Sequence, residues 1–493
     1  MAEDGSNQEP IYRSNDISPT AGSHHVFRHT RVKASTHAIW LVLLLLLLIN
    51  LTSGISIIPL NRLLERCLCR IYYDTTDDIN EELCKVDRVQ QDLAWIVGIL
   101  ETLWIVGDFV MTIPLTFLSE RYGRKSVFLL NIVPRLFLLC WTLSIAHFEA
   151  YLPPRAAIAG AALSVLGGDT VFNSLIYSLA SKVTEDDTVR AIYFSRMAAL
   201  TSVVGFISPA IAAASMSIRL TLPFWLGVVF LLLAIPTILL LPGEREVESE
   251  PSEARRPLMS SPTLKAQSAQ RSFVASIVAR MHLLTSSLGS RKLVLLLLSM
   301  LLTSLASADT KLLAQYISKR YHWTFASAGY LLSAKALVNF VLLTFVVPLF
   351  LARRATTTQS LSDRGSYRYA RFCLVASALG AMAIGLSGAV WVLLPSLLIY
   401  ALGVPLSIFT LSLANSPVMW LRVRDDAGEA SGPPDHLFSV VMMVKTIGSL
   451  VGAPLMATLW YYGIQTSVYG SPYMASSLIY LAACCVFWRI KLA

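Results

Sequence analysis

Two long apolar segments, Leu93–Leu118 and Val127–Ala146, are separated by a short charged turn. Each is long enough for a helix to cross the hydrocarbon core of a bilayer, which takes about 20 residues. The cations of the turn complement the carbonyl end of the preceding helix, and its glycine allows the left-handed backbone of a tight turn. A short loop rich in cations is typical of the cytoplasmic side of a membrane. The residues of this charged turn are Glu120, Arg121, Gly123, Arg124 and Lys125.

The composition agrees with a membrane protein. Of the 493 residues, 55% are hydrophobic and 14% are charged, which is too apolar for a soluble chain of this size. The net charge of +9 is explained by the preference for cations in cytoplasmic loops rather than by affinity for nucleic acid. We therefore expect the lipid bilayer, and no nucleic acid, as a partner.

The sequence predicts an all-α membrane protein with twelve transmembrane helices, here called spans 1 to 12 in chain order. An even number of spans places both termini on one side of the membrane. The predicted spans are 38–60, 93–118, 126–146, 154–181, 193–216, 220–242, 292–310, 325–351, 370–388, 391–415, 435–460 and 471–488.

The distribution of Lys and Arg predicts the orientation. With the N-terminus in the cytoplasm, and with residues at span ends counted on the side where they lie, 27 of these residues are inside, 10 are outside and 3 are within spans, which together make the 40 in the sequence. This excess inside follows the positive-inside rule. We expect a multi-pass protein, in the plasma membrane, with both termini cytoplasmic.

A polar segment divides the chain in the middle. Residues 243–291 are rich in Ser, Pro, Glu and Arg, a composition that buries too little apolar surface to fold alone. We interpret them as a cytoplasmic linker between two pseudo-symmetric six-helix bundles, 38–242 and 292–488, with a site at their interface. Residues 1–37 are predicted to be a disordered cytoplasmic tail, and 489–493 a second tail. The alternative interpretation of this polar segment is an insertion that does not mark a boundary between two bundles.

The predicted outside loop 61–92 contains Cys67, Cys69 and Cys84. An extracellular loop permits disulfides, so either Cys69–Cys84 or Cys67–Cys84 can form. One cysteine is left unpaired in each case.

The charged turn also suggests a family. Ser119–Lys125 resembles the signature between spans 2 and 3 of the major facilitator superfamily, in which an acidic residue, a base, a glycine and two further bases recur. Thr116 departs from the signature, which usually has glycine there. The resemblance implies a carrier that exposes one central site alternately to the two sides of the membrane.

A narrower resemblance covers most of the chain. Cys69–Tyr73, Gly167–Asp169 and Gln315–Trp323 resemble a filamentous-fungal branch of the superfamily that is distantly similar to proton-coupled folate transporters. The resemblance implies an association with secondary-metabolite pathways, which many members of that branch accompany.

Ionisable residues within spans are the candidates for chemistry. A charge at the bilayer centre costs ~2.5–3.5 kcal/mol on insertion scales, so such residues usually face the protein interior. Glu101 and Asp108 lie seven residues apart on nearly one face of span 2, and Trp104 shares that face. The candidates for the cavity are Glu101, Trp104, Asp108, Arg135, Asp169, Lys335, Asn339 and Lys445.

These candidates divide into two roles. A carboxylate in a low-dielectric site suits a coupling proton, which points to Glu101, Asp108 or Asp169. Bases suit a substrate anion or a paired carboxylate. The structural alternative is an ion pair between Arg135 and Asp108 or Asp169. Asp309 and Arg155 lie at predicted span ends, where capping or snorkelling explains them.

Other protein classes lack support in the sequence. No Gly-x4-Gly-Lys-Ser/Thr pattern for a nucleotide and no His-Glu-x2-His pattern for zinc occurs. We therefore expect no enzyme activity, no cofactor and no metal.

The sequence as a whole predicts a proton-coupled secondary carrier, monomeric, that exports a small organic molecule. The alternatives are an importer of an organic anion or nutrient, and a non-transporting sensor of the same fold. We expect the charged turn to gate the cytoplasmic mouth without touching the substrate.

Overall fold

The computed structural model describes residues 23–75, 77, 79–149, 151–183, 187–241, 291–346, 363–414 and 437–490, and within these ranges it contains helices and no strand. In these described ranges, eleven helical segments are long and apolar enough to cross a bilayer, and Val390–Ala401 is a shorter apolar helix. The predicted fold class, an all-α membrane protein with twelve transmembrane helices in two six-helix bundles, is confirmed.

The first half contains spans 1 to 6. The short 3-10 helix Glu81–Lys85 precedes span 2. A second 3-10 helix, Pro154–Leu166, forms the first part of span 4. The α-helices are Ser23–Tyr73, Asp87–Tyr122, Arg124–His147, Asp169–Val183, Asp187–Ile218 and Leu222–Leu240.

The second half contains spans 7 to 12. Span 7 includes the 3-10 helix Ser307–Leu312, the described part of span 8 includes the π-helix Leu342–Val346, and a turn at 402–405 interrupts span 10. The α-helices are Arg291–Ala306, Leu313–Tyr321, Phe325–Val341, Asp363–Leu386, Val390–Ala401, Leu406–Ala414, Leu437–Gln465 and Ser471–Trp488.

Span 1 is longer than predicted. Its helix runs from Ser23 to Tyr73 instead of 38–60, so residues 23–37 of the predicted disordered tail are helical, and much of the predicted loop 61–92 is helix. Once a helix has formed, each added residue gains a hydrogen bond, so the helix extends beyond the apolar run. Residues 1–22, 242–290 and 491–493 lie outside the described residues, and the division into tails and linker stays a prediction.

Span 4 is broken near its middle. Gly167, at φ 150°, joins the 3-10 helix to the α-helix that begins at Asp169. A Cβ on Gly168 would lie 2.3 Å from the carboxyl carbon of Asp108. Gly168 therefore lets span 2 approach the start of the second helix closely, and Gly167 does the same for Asn131 of span 3. The break lies within the predicted span 154–181.

Each half has its own apolar core. One core is built almost wholly from spans 1 to 6, and the other from spans 7 to 12. The halves meet where span 2 contacts span 11 and span 5 contacts span 8. Small residues allow these helices to come close: a Cβ on Gly98 would lie 2.6 Å from that of Ala457, and one on Gly329 would lie 3.1 Å from that of Ala213.

Two faces of the molecule, the disulfide face and the Gly123 face, carry distinct features. The disulfide face carries the bond between Cys69 and Cys84, one of the two pairings that the sequence allowed, and Cys67 is a free buried thiol. The Gly123 face carries the turn between spans 2 and 3, where Gly123 has φ 84° and ψ 151°. Residues other than glycine avoid this conformation.

The close contact between spans 2 and 11 predicts that a glycine-to-alanine substitution lowers stability there more than at an uncrowded position. Gly98→Ala places a methyl group against Ala457, and we expect overpacking to cost about 1–3 kcal/mol. Gly205→Ala is the matched control, because a Cβ there has no neighbour within 4 Å and alanine favours helix. Thermal unfolding of the two detergent-purified variants measures the difference. Equal midpoints would contradict the close approach.

Candidate functional site

A buried cluster on the disulfide face joins the two halves. The ammonium group of Lys85 lies 2.7 Å from Glu65 and 3.2 Å from Glu81, and it donates to the hydroxyl of Ser318 at 2.5 Å. It also lies 4.5 Å from the ring centroid of Phe325, whose backbone N–H donates to Glu81 at 2.7 Å. We call these five residues the Lys85 cluster. They connect the end of span 1 and the loop between spans 1 and 2 to spans 7 and 8.

The Lys85 cluster is held firmly because its charges are almost fully buried. Lys85 is 3% exposed and Glu65 is 0% exposed, so neither charge can be solvated by water. Arg62 and Gln90 add further hydrogen bonds to Glu65, at 2.9 and 2.5 Å. The disulfided Cys84 directly precedes Lys85 and therefore fixes the backbone that carries its side chain.

Further polar contacts join the halves beside the cluster. Lys319 pairs with Asp87 at 2.6 Å and donates to the backbone carbonyl of Lys85. The amide of Gln315 donates to Asn61 at 2.8 Å. The disulfide face is thus closed by contacts between the start of span 2, the end of span 1 and the end of span 7.

Glu101 makes an ion pair across the interface between the halves. Its carboxylate lies 2.5 Å from the ammonium group of Lys311 in span 7. The side chain of Lys311 is 52% exposed and that of Glu101 is 23% exposed, so the pair borders an open space. Lys311 lies in the 3-10 helix of span 7, whereas the sequence placed it in a loop after a span ending at 310.

Arg135 organises the polar interior of the first half. Its three guanidinium nitrogens donate to Asn131, Ser53 and Asp169 at 3.1, 2.8 and 2.7 Å. Arg135 is buried, but the side chain of Asp169 is 59% exposed. The interhelical pair that the sequence left as an alternative is therefore formed with Asp169, which keeps one side open to the space between the halves.

Asp108 has a different environment from the other carboxylates of the first half. It is buried and accepts hydrogen bonds from the backbone N–H groups of Thr170 and Val171, at 2.8 and 3.4 Å. These groups are unpaired donors in the first turn of a helix, which a carboxylate stabilises. Asp108 thus caps the second helix of span 4 instead of facing a cavity beside Glu101.

Asp309 is a buried carboxylate that is not among the predicted cavity residues. The predicted span 7 ends at 310, where capping or snorkelling explains Asp309. In the structure, helix continues to Tyr321, and Asp309 is 0% exposed. Its Oδ1 accepts a hydrogen bond from the hydroxyl of Tyr400 at 2.9 Å, and the ammonium group of Lys335 lies 5.4 Å from the centroid of the Tyr400 ring. The only sequence signal for Asp309 as a site residue is its position shortly before a charged segment that forms helix.

A polar cavity of about 240 Å³ lies within the second half. Hydroxyl groups dominate its wall, and Lys445 is its cation. The residues that line it are Thr303, Ser304, Ser307, Thr310, Ser377, Tyr400, Gly403, Val404, Leu406, Ser407, Thr410, Lys445 and Tyr480. Lys335 does not line the cavity but contacts the ring of Tyr400, which does. The two lysines are therefore connected through one tyrosine rather than facing one space.

The remaining candidates have fewer contacts. Asn339 lies one turn beyond Lys335, and its buried side-chain oxygen has no hydrogen-bond partner among the described residues. Trp104 is half-buried in span 2. Within the described parts of the chain, no group of three or more His, Cys, Asp or Glu side chains could hold a metal ion.

The charged turn contacts span 6. The ammonium group of Lys125 donates to the backbone carbonyl of Leu239 at 3.1 Å, near the end of that helix, where carbonyls lack partners. Arg121 is exposed and lies 5.7 Å from the ring centroid of Tyr122. Arg124 is half-buried, and the side chain of Glu120 lies outside the described residues.

Comparison with known proteins identifies the family. The model of the Major Facilitator Superfamily matches residues 89–432. The chain therefore belongs to this superfamily, and it is a membrane transporter of small organic molecules rather than an enzyme.

Individual proteins resemble the chain over most of its length. The MFS efflux pump atnC of Emericella nidulans is 26% identical over 90% of this chain and 86% of its own length. The efflux pump ustT of Aspergillus flavus is 23% identical over 85% of this chain and 81% of its own length. The crystal structure of the human organic anion transporter MFSD10 matches with a TM-score of 0.55 at 16% identity, covering 92% of this chain and 99% of that one, which supports the fold.

The burial of the Lys85 cluster predicts the effect of removing its cation. Lys85→Met leaves Glu65 buried with less compensation, and we expect a loss of up to about 3 kcal/mol. Replacing both charges, with Glu65→Leu and Lys85→Met, should recover most of this loss. Lys319→Met is the matched control on the same face, because its partner Asp87 is half-exposed and can be solvated. Thermal unfolding in detergent would argue against the cluster if both lysine variants lost equal stability.

Proposed function

We propose that this protein is a secondary active carrier that exports a small organic molecule, a fungal secondary metabolite, in exchange for protons. The observation that carries the proposal is the closed disulfide face together with the open, charged surface between the halves. Such an arrangement is one state of a cycle in which a central site faces the two sides in turn. The relatives named as efflux pumps support the direction.

The orientation belongs to the same proposal. A disulfide persists in an oxidising environment, so the disulfide face is taken to lie outside the cell. The cation-rich turn on the Gly123 face then lies in the cytoplasm. On this assignment both termini are cytoplasmic, the protein lies in the plasma membrane, and the described state is open toward the cytoplasm. One chain contains both bundles, so a monomer is sufficient.

The interface pair gives a physical route for coupling. Opening the disulfide face requires the contact between Glu101 and Lys311 to separate, because the two residues belong to different halves. A proton on Glu101 removes one charge of the pair and weakens the attraction. Protonation of Glu101 would thus weaken the closed disulfide face, and loss of the proton would strengthen it.

The cavity supports an anionic or carbonyl-rich substrate. Arg135 is paired with Asp169, and Lys335 lies near Asp309, but Lys445 has no ion-pair partner among the described residues. A cation surrounded by hydroxyl groups suits a carboxylate, phenolate or carbonyl oxygen. The same feature fits the alternative function, import of an organic anion, since one cycle can run in either direction with the gradient.

Transport in everted vesicles tests the function. Vesicles carrying the protein, with an acidic interior reported by a pH-sensitive dye, receive an organic extract of spent medium from the source organism. We expect uptake of a small molecule, identified by mass spectrometry, and a partial collapse of the pH gradient. Vesicles lacking the protein are the control. Binding of an extract component without any flux would favour a sensor. Flux without proton movement would contradict the proposed exchange with protons.

Two substitutions test the residues assigned to the cycle. Glu101→Gln and Lys335→Ala should each lower gradient-driven flux by about tenfold or more, which corresponds to about 1.4 kcal/mol. Arg219→Ala, an exposed charge in the loop between spans 5 and 6, is the control and should leave flux unchanged. Unchanged flux in both test variants would refute these assignments.

The charged turn predicts a kinetic effect without a binding effect. Arg121→Ala should lower the transport rate by about threefold to tenfold, because the turn lies at the mouth and not at the cavity. The concentration for half-maximal transport should stay nearly constant. Arg291→Ala removes an exposed charge on the same face and is the matched control. A large loss of affinity in Arg121→Ala would contradict a gating role.

A further inference from the structure

Asp309 differs from Glu101, Asp108 and Asp169 in having a carboxylate oxygen that is both buried and without a hydrogen-bond partner among the described residues. Glu101 has Lys311, Asp169 has Arg135, and Asp108 has two backbone donors. At Asp309, Oδ1 accepts from Tyr400, but Oδ2 is buried and has no hydrogen-bond partner among the described residues. A buried charged oxygen without a partner is costly, and binding a proton removes the charge.

The surroundings of Asp309 are polar but contain few donors for Oδ2. The hydroxyl of Ser476 lies close to the Asp309 carboxylate, but it donates to the carbonyl of Ala306 at 2.9 Å. Tyr473, from the same span 12, lies with its hydroxyl 3.4 Å from the backbone carbonyl of Asp309. Lys335 from span 8 is the cation whose charge acts on Asp309.

Asp309 is one hydrogen bond away from the cavity. Tyr400, which donates to Asp309, also lines the cavity, and its hydroxyl lies 3.3 Å from that of Tyr480, a second lining residue. A change at the carboxylate can therefore reach the substrate through side chains already in contact. Lys335 lies over the ring of the same Tyr400.

We propose that Asp309 binds a proton on Oδ2, in addition to the proton assigned to Glu101, and that Tyr400 and Tyr480 convey the protonation state of Asp309 to the cavity. This rests on the proposed function, because it names a second proton site of that carrier. The proton comes from water and adds to Oδ2. It returns to water, and the carboxylate re-forms, in the state that faces the other side of the membrane. No other bond is made or broken.

Protonation changes what the cavity offers to a substrate. The hydrogen bond from Tyr400 to an ionised carboxylate is charge-assisted, and it weakens when Asp309 becomes neutral. The Tyr400 hydroxyl is then less tightly held, and Lys335 loses the nearby negative charge. The protonated and deprotonated states should therefore bind an anionic substrate with different affinities, which is the requirement for coupling.

Infrared difference spectroscopy tests the proton site without any substrate. Purified full-length protein is compared at pH about 8 and about 6, a range in which exposed carboxyl groups stay ionised. We expect a carboxylic-acid C=O band that is absent from Asp309→Asn and retained in Glu101→Gln. Tyr400→Phe should keep the band but shift it, because the hydrogen bond to Oδ1 is lost. A band unchanged in Asp309→Asn, or no band in the wild type, would overturn the proposal.

Transport separates the proton site from the function itself. An asparagine side chain still accepts the hydrogen bond from Tyr400, and it imitates the protonated carboxyl group. Asp309→Asn should therefore lower the gradient-driven flux of the compound identified in the vesicle experiment by about tenfold or more. Exchange of that compound at equal pH should be retained. If both activities stay at wild-type level, the assignment of Asp309 is wrong and the carrier function stands. If wild-type vesicles transport nothing, the carrier function fails, and the infrared result alone decides whether Asp309 binds a proton.

Discussion

The hydrocarbon core of a bilayer cannot solvate a charge or an unpaired backbone group, so polar groups within the spans are stabilised by partners inside the protein. The buried guanidinium of Arg135 shows the consequence. It is bound by an amide, a hydroxyl and a carboxylate from three different spans. Span 1, span 3 and the second helix of span 4 are thereby tied together, which is how one polar side chain positions three apolar helices.

The same requirement explains the broken helices. A helix that stops within the membrane leaves N–H groups without partners, and at the start of the second helix of span 4 the carboxylate of Asp108 accepts two of them. The break in turn places Asp169 at the open space between the halves while its partner Arg135 stays buried. Discontinuous spans with polar ends at mid-membrane are where transporters build their sites.

Hydropathy predicted the number and order of the spans because an apolar run of bilayer length has few other uses. It could not locate the ends of spans 1 and 7, where polar residues continue the helix and are stabilised by contacts made only in the folded protein. A span 7 that ends at 310 puts Asp309 at a helix end and Lys311 in a loop, whereas both residues lie within the helical segment that continues to Tyr321.

The side-chain pairs that join the two halves could not be predicted from the sequence either. Lys311 and Glu101 are separated by 210 residues, and Lys85 and Ser318 by 233. A single sequence indicates that such residues are costly to bury, but not which partner offsets the cost. The turn at Gly123 was predictable for the opposite reason, because its geometry depends on neighbouring residues alone.

The contacts that close the disulfide face differ in how easily they can be broken, and this difference bears on the transport cycle. The pair of Glu101 and Lys311 is partly exposed, so water can solvate the separated charges at little cost. The Lys85 cluster is almost fully buried, and separating Lys85 from Glu65 would be far more costly. Since Glu65, Glu81 and Lys85 all belong to the first half, the halves can part at Ser318 and Phe325 while the buried ion pairs stay intact. The disulfide beside Lys85 keeps this charged group assembled on one side of the opening, so a carrier can close the same face again in every cycle.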